Sequence, residues 1–113
     1  MTRPQGFKAV TLHTMTDVRH QVDTLDAQLV PLLLQRLQCM RAAAQIKSKR
    51  DQVRDDQRVA AVLDHVKRRA RQLGADASDV DAIEAIYSQL IEFCIGYELR
   101  HFDQKSAQQE VGR

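Results

Sequence analysis

Arg36 and Lys47 stand eleven positions apart in a segment, residues 16–49, that contains no glycine. Eleven residues advance an α-helix by about three full turns, so in a helix both side chains leave one face, roughly 16 Å apart. An arginine and a lysine directed inward at that separation could grip a small anion between them. Both fall on a repeat of Leu29, Leu32, Arg36, Met40, Ala43 and Lys47, the stripe that a core would claim. A second repeat, Tyr87, Leu90, Ile91 and Cys94, continues to Glu98, a carboxyl on the same kind of face. Charges there are costly unless paired or liganded. Two arrangements meet that demand: a site for a small anion, or an internal Glu98–Lys47 ion pair with the remaining charge snorkelling at a helix end. Arg19 lies seventeen residues before Arg36, about 25 Å along a straight helix, so the two cannot reach one small ligand within a single chain. If Arg19 serves the same pocket, it comes from a second copy running antiparallel.

The elements that must position these groups are helical. Val18, Val22, Leu25, Leu29 and Leu32 begin the repeat that Met40 and Ala43 continue, which predicts one long amphipathic helix over 16–49. Pro31 interrupts it at a cost of ~3 kcal/mol, but the repeat keeps its phase across the proline, so a kinked single helix is expected. After the polar connection SKRDQVRDD, a second helix is predicted from Asp56 to Leu73, with Val59, Val62, Leu63, Val66, Ala70 and Leu73 on one side. Gly74 is placed to end it in a left-handed cap. Ser78 is expected to cap a third helix, with Asp79 and Asp81 favoured in its first turn by the helix dipole, and the stripe from Ile83 runs to about Phe102. The expected architecture is all-α, with three helices: long, medium and long. Residues 1–15 read as a loose arm, 16–103 as the helical domain and 104–113 as a polar tail.

Composition narrows the classes. A chain of 113 residues allows one domain that is only marginally stable alone, so oligomerisation would help it. With 2 Pro and 4 Gly, a turn-rich β sandwich or barrel is not expected. Aromatics at 4% and no Trp argue against a base-stacking platform. The basic clusters KSKR and KRRAR are interleaved with Asp51, Asp55, Asp56 and Asp64, so a helical module binding nucleic-acid phosphates is the weaker, non-enzyme alternative. No apolar run is long enough to span a membrane, and the start MTRPQGFKAVTLHTM holds no signal-like apolar core. Cys39 and Cys94 are too few and too isolated for a disulfide framework or a zinc site, which makes a reducing cytoplasm the expected compartment.

Arg19 in DVRHQVDTLDAQLV, Arg36 in LLLQR, Lys47 in AAAQIK and Arg58 in VRDDQRVAAVL follow the pattern of the all-helical chorismate mutases, and IYSQLIEFCIGYE resembles that family's third helix. The resemblance spans residues 15–103, and QRVAAVL looks most like the branch that includes isochorismate pyruvate lyase. It implies an intertwined homodimer with two active sites, each borrowing an arginine from the partner chain. It also implies pericyclic chemistry on a small dicarboxylate, with no nucleophile, metal or cofactor. By resemblance, Arg36 and the partner's Arg19 bind carboxylates, where the guanidinium fork suits bidentate contact. Lys47 donates to the ether oxygen of the substrate, and Arg58 supports the site electrostatically.

Three departures matter. Glu98 stands where many relatives carry a glutamine that donates to the same oxygen; a carboxyl donates only when protonated, so activity of such a site would fall as pH rises. Val59 stands where bacterial mutases commonly carry a glutamate that contacts the ring hydroxyl of chorismate; its place on the apolar stripe equally fits plain packing. Cys94 stands where some carry serine. Asp55 matches a family aspartate near the connection that covers the substrate, and it is equally an N-cap for the second helix. The resemblance therefore points first to a chorismate mutase, of the kind used in aromatic amino acid biosynthesis. Isochorismate pyruvate lyase, of the kind used in salicylate biosynthesis, comes second and a 4-amino-4-deoxychorismate mutase third, with a catalytically inactive regulatory relative as a further alternative.

Overall fold

The computed structural model describes residues 11–111. Helix α1 spans Met15–Ile46, a 3-10 turn follows at Arg50–Gln52, α2 spans Asp56–Gln72 and α3 spans Ala77–Val111. The long, medium and long helices expected from the periodicity are all present, and the described residues contain no strand. Most of the expected N-terminal arm, residues 1–10, lies outside the described residues.

Each boundary has a local cause. Thr14 caps α1: its hydroxyl accepts from the Asp17 amide at 3.1 Å, and the Asp17 carboxylate accepts from the Thr14 amide at 3.2 Å. The helix runs unbroken across Pro31, because Pro31 and Ala27, whose carbonyl loses its partner, both lie on an exposed stretch that water can reach. α1 stops at Ile46 rather than near residue 49, and Lys47 is its extended C-cap residue. Gly74 takes φ 89°, with Gly74 N–H bonded to the Arg71 carbonyl and Ala75 N–H to the Ala70 carbonyl, each at 3.0 Å. This pair of bonds is the left-handed C-cap expected there.

Two expectations for α3 are corrected. Asp76, not Ser78, caps it, accepting from the Asp79 amide at 2.9 Å; the aspartate is one residue before the first helical position, where a cap must sit. The helix also does not end near Phe102. It continues to Val111, so the segment read as a polar tail is helical through that residue. The cause is tertiary: Asp103 and Lys105 find partners on the rest of the chain, as described below.

α3 is the spine of the molecule. It packs on α1 and on α2, whereas no Cα of α1 comes within 8 Å of a Cα of α2. Ala44 of α1, Val53 of the connection and Phe102 of α3 form the core cluster at one end, with Ile95 and Leu99 against it. Lys67 of α2 pairs with Glu84 of α3 at 2.6 Å farther along. The result is elongated, 62 × 31 × 20 Å, because the first half of α1 projects past the helices that could cover it.

Candidate active site

Where the three helices and the connection meet, they line a half-open cavity of about 370 Å³. α1 supplies Arg36, Met40, Ala43 and Lys47, successive members of its 3–4 stripe, so the basic and the apolar residues face the cavity together. α3 supplies Ile91, Cys94, Ile95 and Glu98 by the same geometry. The start of α2 adds Asp55, Arg58, Val59 and Val62, and the connection adds Gln52 and Val53. Seven of the eight residues singled out from the sequence therefore line one cavity. Arg19 does not: it is exposed on the first turns of α1.

Lys47 and Glu98 form the centre of this arrangement. The Lys47 ammonium donates to Glu98 Oε2 at 2.7 Å and approaches the Val53 carbonyl at 3.5 Å. Glu98 is only 4% exposed, so its carboxylate depends on that lysine for charge compensation. Of the two alternatives left open by the sequence, the Glu98–Lys47 ion pair is present, and it faces a cavity. A lysine carries three N–H donors, and these two contacts leave one for a ligand. Asp55 likewise serves twice: its carboxylate accepts from the Arg58 amide at 3.0 Å as the cap of α2, and it lines the cavity. Cys94 is a free thiol, buried in the cavity wall. Val59 presents only methyl groups there, beside Val62 and Ile91.

The connection is held by groups that the periodicity did not single out. Gln52 Oε1 accepts from the amides of Ser48 and Lys49, each at 2.9 Å, which closes the turn after Lys47. Arg50 pairs with Asp103 at 3.0 Å, and Arg54 grips Glu92 through two bonds of 3.1 and 2.5 Å. The hydrogen bond from Arg54 lowers the Glu92 carboxyl below its ordinary value; desolvation opposes this and the charge of Arg54 adds to it. These residues sit outside both apolar stripes, so helical spacing carries no sign of them. Lys105 is different: 91, 94, 98, 102 and 105 continue a single 3–4 spacing, a signal that was present in the sequence.

Fold and cavity together define an all-helical domain in which cations from two helices line one half-open cavity. Residues 18–99 match the family described as chorismate mutase type II. The chain belongs to that family. Over 90 residues, 80% of this chain and 86% of the relative, it is 29% identical to the isochorismate pyruvate lyase of Pseudomonas aeruginosa, which places it near that branch.

Proposed function

We propose that the cavity binds chorismate and rearranges it to prephenate, in a homodimer whose two sites are each completed by the partner's Arg19. The convergence of Arg36, Lys47 and Arg58 on one cavity, with Lys47 anchored by Glu98, carries this reading. Chorismate is a dicarboxylate, and its rearrangement breaks an ether C–O bond while forming a C–C bond in one pericyclic step. The protein has to hold the folded conformer and stabilise charge developing on the ether oxygen. Arg36 is the carboxylate fork, Lys47 the donor to the ether oxygen, and Arg58 an electrostatic support at the rim. Glu98 fixes the lysine that donates to this oxygen. Cys94, Val59 and Asp55 shape the walls around the ring.

Charge supports the shared site. Three cations against the carboxylates of Asp55 and Glu98 leave one net positive charge per cavity, one short of a dicarboxylate. A second Arg restores the balance, and Arg19 can supply it only from another chain. The exposed stripe Val22, Leu25, Leu29 and Leu32 offers the apolar surface for such a partner. The open apolar groove along Val66, Leu73, Ile83 and Tyr87, between α2 and α3, is the surface on which the partner's helix would lie.

A second reading, elimination of pyruvate from isochorismate, is favoured by Val59. An apolar wall at that position has no acceptor for the ring hydroxyl as chorismate carries it, and the relative from Pseudomonas aeruginosa bears the name of that activity. Both substrates are tested in one assay: loss of chorismate or isochorismate absorbance, with product identification. Mixing the separately inactive variants Arg19→Ala and Lys47→Ala should recover about a quarter of wild-type activity, since half the dimers are mixed and one of their two sites is intact. No recovery after verified subunit exchange overturns the shared site, and no turnover of either substrate overturns the enzymatic reading.

A further inference from the structure

Where the chain leaves α1, the last carbonyls of the helix have no helical partner. A Lys or Arg in the last turn can meet this need, but α1 has none there. The cation comes from α3 instead. Lys105 Nζ donates to the carbonyls of Ala44 and Lys47, each at 2.8 Å, and lies 3.4 Å from that of Gln45. Its ammonium also sits 4.4 Å from the centre of the Phe102 ring. Ala44 is completely buried, so its carbonyl has little water to substitute for Lys105, whereas Gln45 and Ile46 beside it are exposed.

One of the three carbonyls belongs to Lys47. Lys47 is thus held twice by α3: its side chain by Glu98 at 2.7 Å, its backbone by Lys105 seven residues farther along the same face. Seven residues are about two turns, roughly 10 Å, a rigid gauge between the two anchor points. The backbone leaves the helix at Lys47 in an extended conformation, φ −67° and ψ 138°, where no helical bond would otherwise fix its direction.

We propose that Lys105 is a positioning residue for the site: its ammonium fixes the end of α1 so that the Lys47 side chain enters the cavity at the height of Glu98. This rests on the reading of Lys47 as the donor to the substrate. Lys105 touches no substrate and does not line the cavity. Its effect falls on the transition state, because a small displacement of a donor weakens the charge stabilisation that it supplies there more than it weakens ground-state binding.

The test compares Lys105→Met, which keeps the stem on Phe102 but loses the ammonium, with Lys105→Arg, which keeps the donors. The methionine variant should lose about tenfold or more in kcat with KM within about twofold, and the arginine variant should recover most of that loss. In a Lys47→Ala background, Lys105→Met should change the residual rate by less than about twofold, because the group it positions is gone. Unchanged kcat in Lys105→Met, or an equal loss with and without Lys47, overturns the proposal. Hydrogen exchange of the amides of residues 48–53 gives a readout independent of turnover: it should quicken about tenfold in the methionine variant and not in the arginine variant. If wild type turns over neither substrate, the proposed activity fails while the exchange result still decides the role of Lys105; unchanged exchange overturns it. Should Lys105→Met not fold, Lys105→Gln, with an amide donor in place of the ammonium, carries the same comparisons with a smaller loss.

Discussion

The two halves of α1 carry one continuous repeat and meet opposite fates. From Arg36 to Lys47 the stripe is packed on α3, with Ala44 at 0% exposure, and it delivers two cations to the cavity. From Val22 to Leu32 the same stripe is open, with Leu25 at 50% and Leu32 at 59% exposure. Periodicity records which face a helix needs to bury; it does not say what buries it. The packed half shows its partner, because α3 brings Cys94, Glu98 and Phe102 against it. The open half has spacing suited to a partner but none among the described residues, and Arg19 stands at its far end.

The largest effects are expected in the packed half. Arg36→Ala should lower kcat/KM by about 10²–10³ with little change in melting temperature, since no ion pair of Arg36 exists among the described residues. Lys47→Ala should lose as much activity but also melt several degrees lower, because Glu98 is left buried without its cation. Adding Glu98→Gln to Lys47→Ala should return most of that stability and none of the activity. Kinetics and thermal melting of the three variants check this; equal melting shifts in Arg36→Ala and Lys47→Ala would erase the distinction.

The open half should answer to assembly rather than to folding. If the proposed dimer forms on this stripe, Leu25→Asp with Leu29→Asp should convert a dimer of 12.9 kDa chains to monomers in light scattering and abolish turnover, by removing the partner proposed to supply Arg19. Ala44→Leu, in the packed half, should instead keep the dimer and lose about 1–3 kcal/mol by overpacking a fully buried position. A wild-type chain that scatters as a monomer at all working concentrations breaks the comparison.

Smaller effects sharpen it. Glu98→Gln keeps an acceptor for Lys47 and adds an N–H donor toward the cavity, so its rate should match or exceed that of wild type; a clear loss of rate would assign the Glu98 charge to the anchoring of Lys47. The smallest change is expected from Glu92→Gln, which releases the exposed grip of Arg54 on the connection. The Glu92 carboxyl is lowered on folding by that hydrogen bond and charge. Its contribution is therefore present above the ordinary carboxylate range and lost as pH falls through the lowered value. Melting temperatures of wild type and Glu92→Gln should differ by a degree or two near neutral pH and converge as pH falls through the lowered value. A gap that persists in acid would show that Glu92 acts by packing.

The helices, their order and most of the cavity wall were legible in the amino-acid sequence, for one physical reason. A residue's azimuth on a helix follows from its number, so Arg36, Lys47, Cys94 and Glu98 could be set on inward faces before any tertiary contact was known. Gly74 was equally readable, since only a residue at ease with φ above zero ends α2 in that way. The tertiary structure decided what azimuth cannot: which inward charges meet. It joined Lys47 to Glu98 across 51 positions and placed Asp55 both on the cap of α2 and on the cavity. It also carried α3 beyond Phe102, because Asp103 and Lys105 gain partners only when α1 and the connection are folded beside them. A polar run such as DQKSAQQ contains no apolar stripe; its Gln, Lys and Ala permit a helix, but only Lys105 continues the spacing that would place one. The reason for the helix there lies 58 residues away, in the carbonyl of Lys47 that Lys105 satisfies.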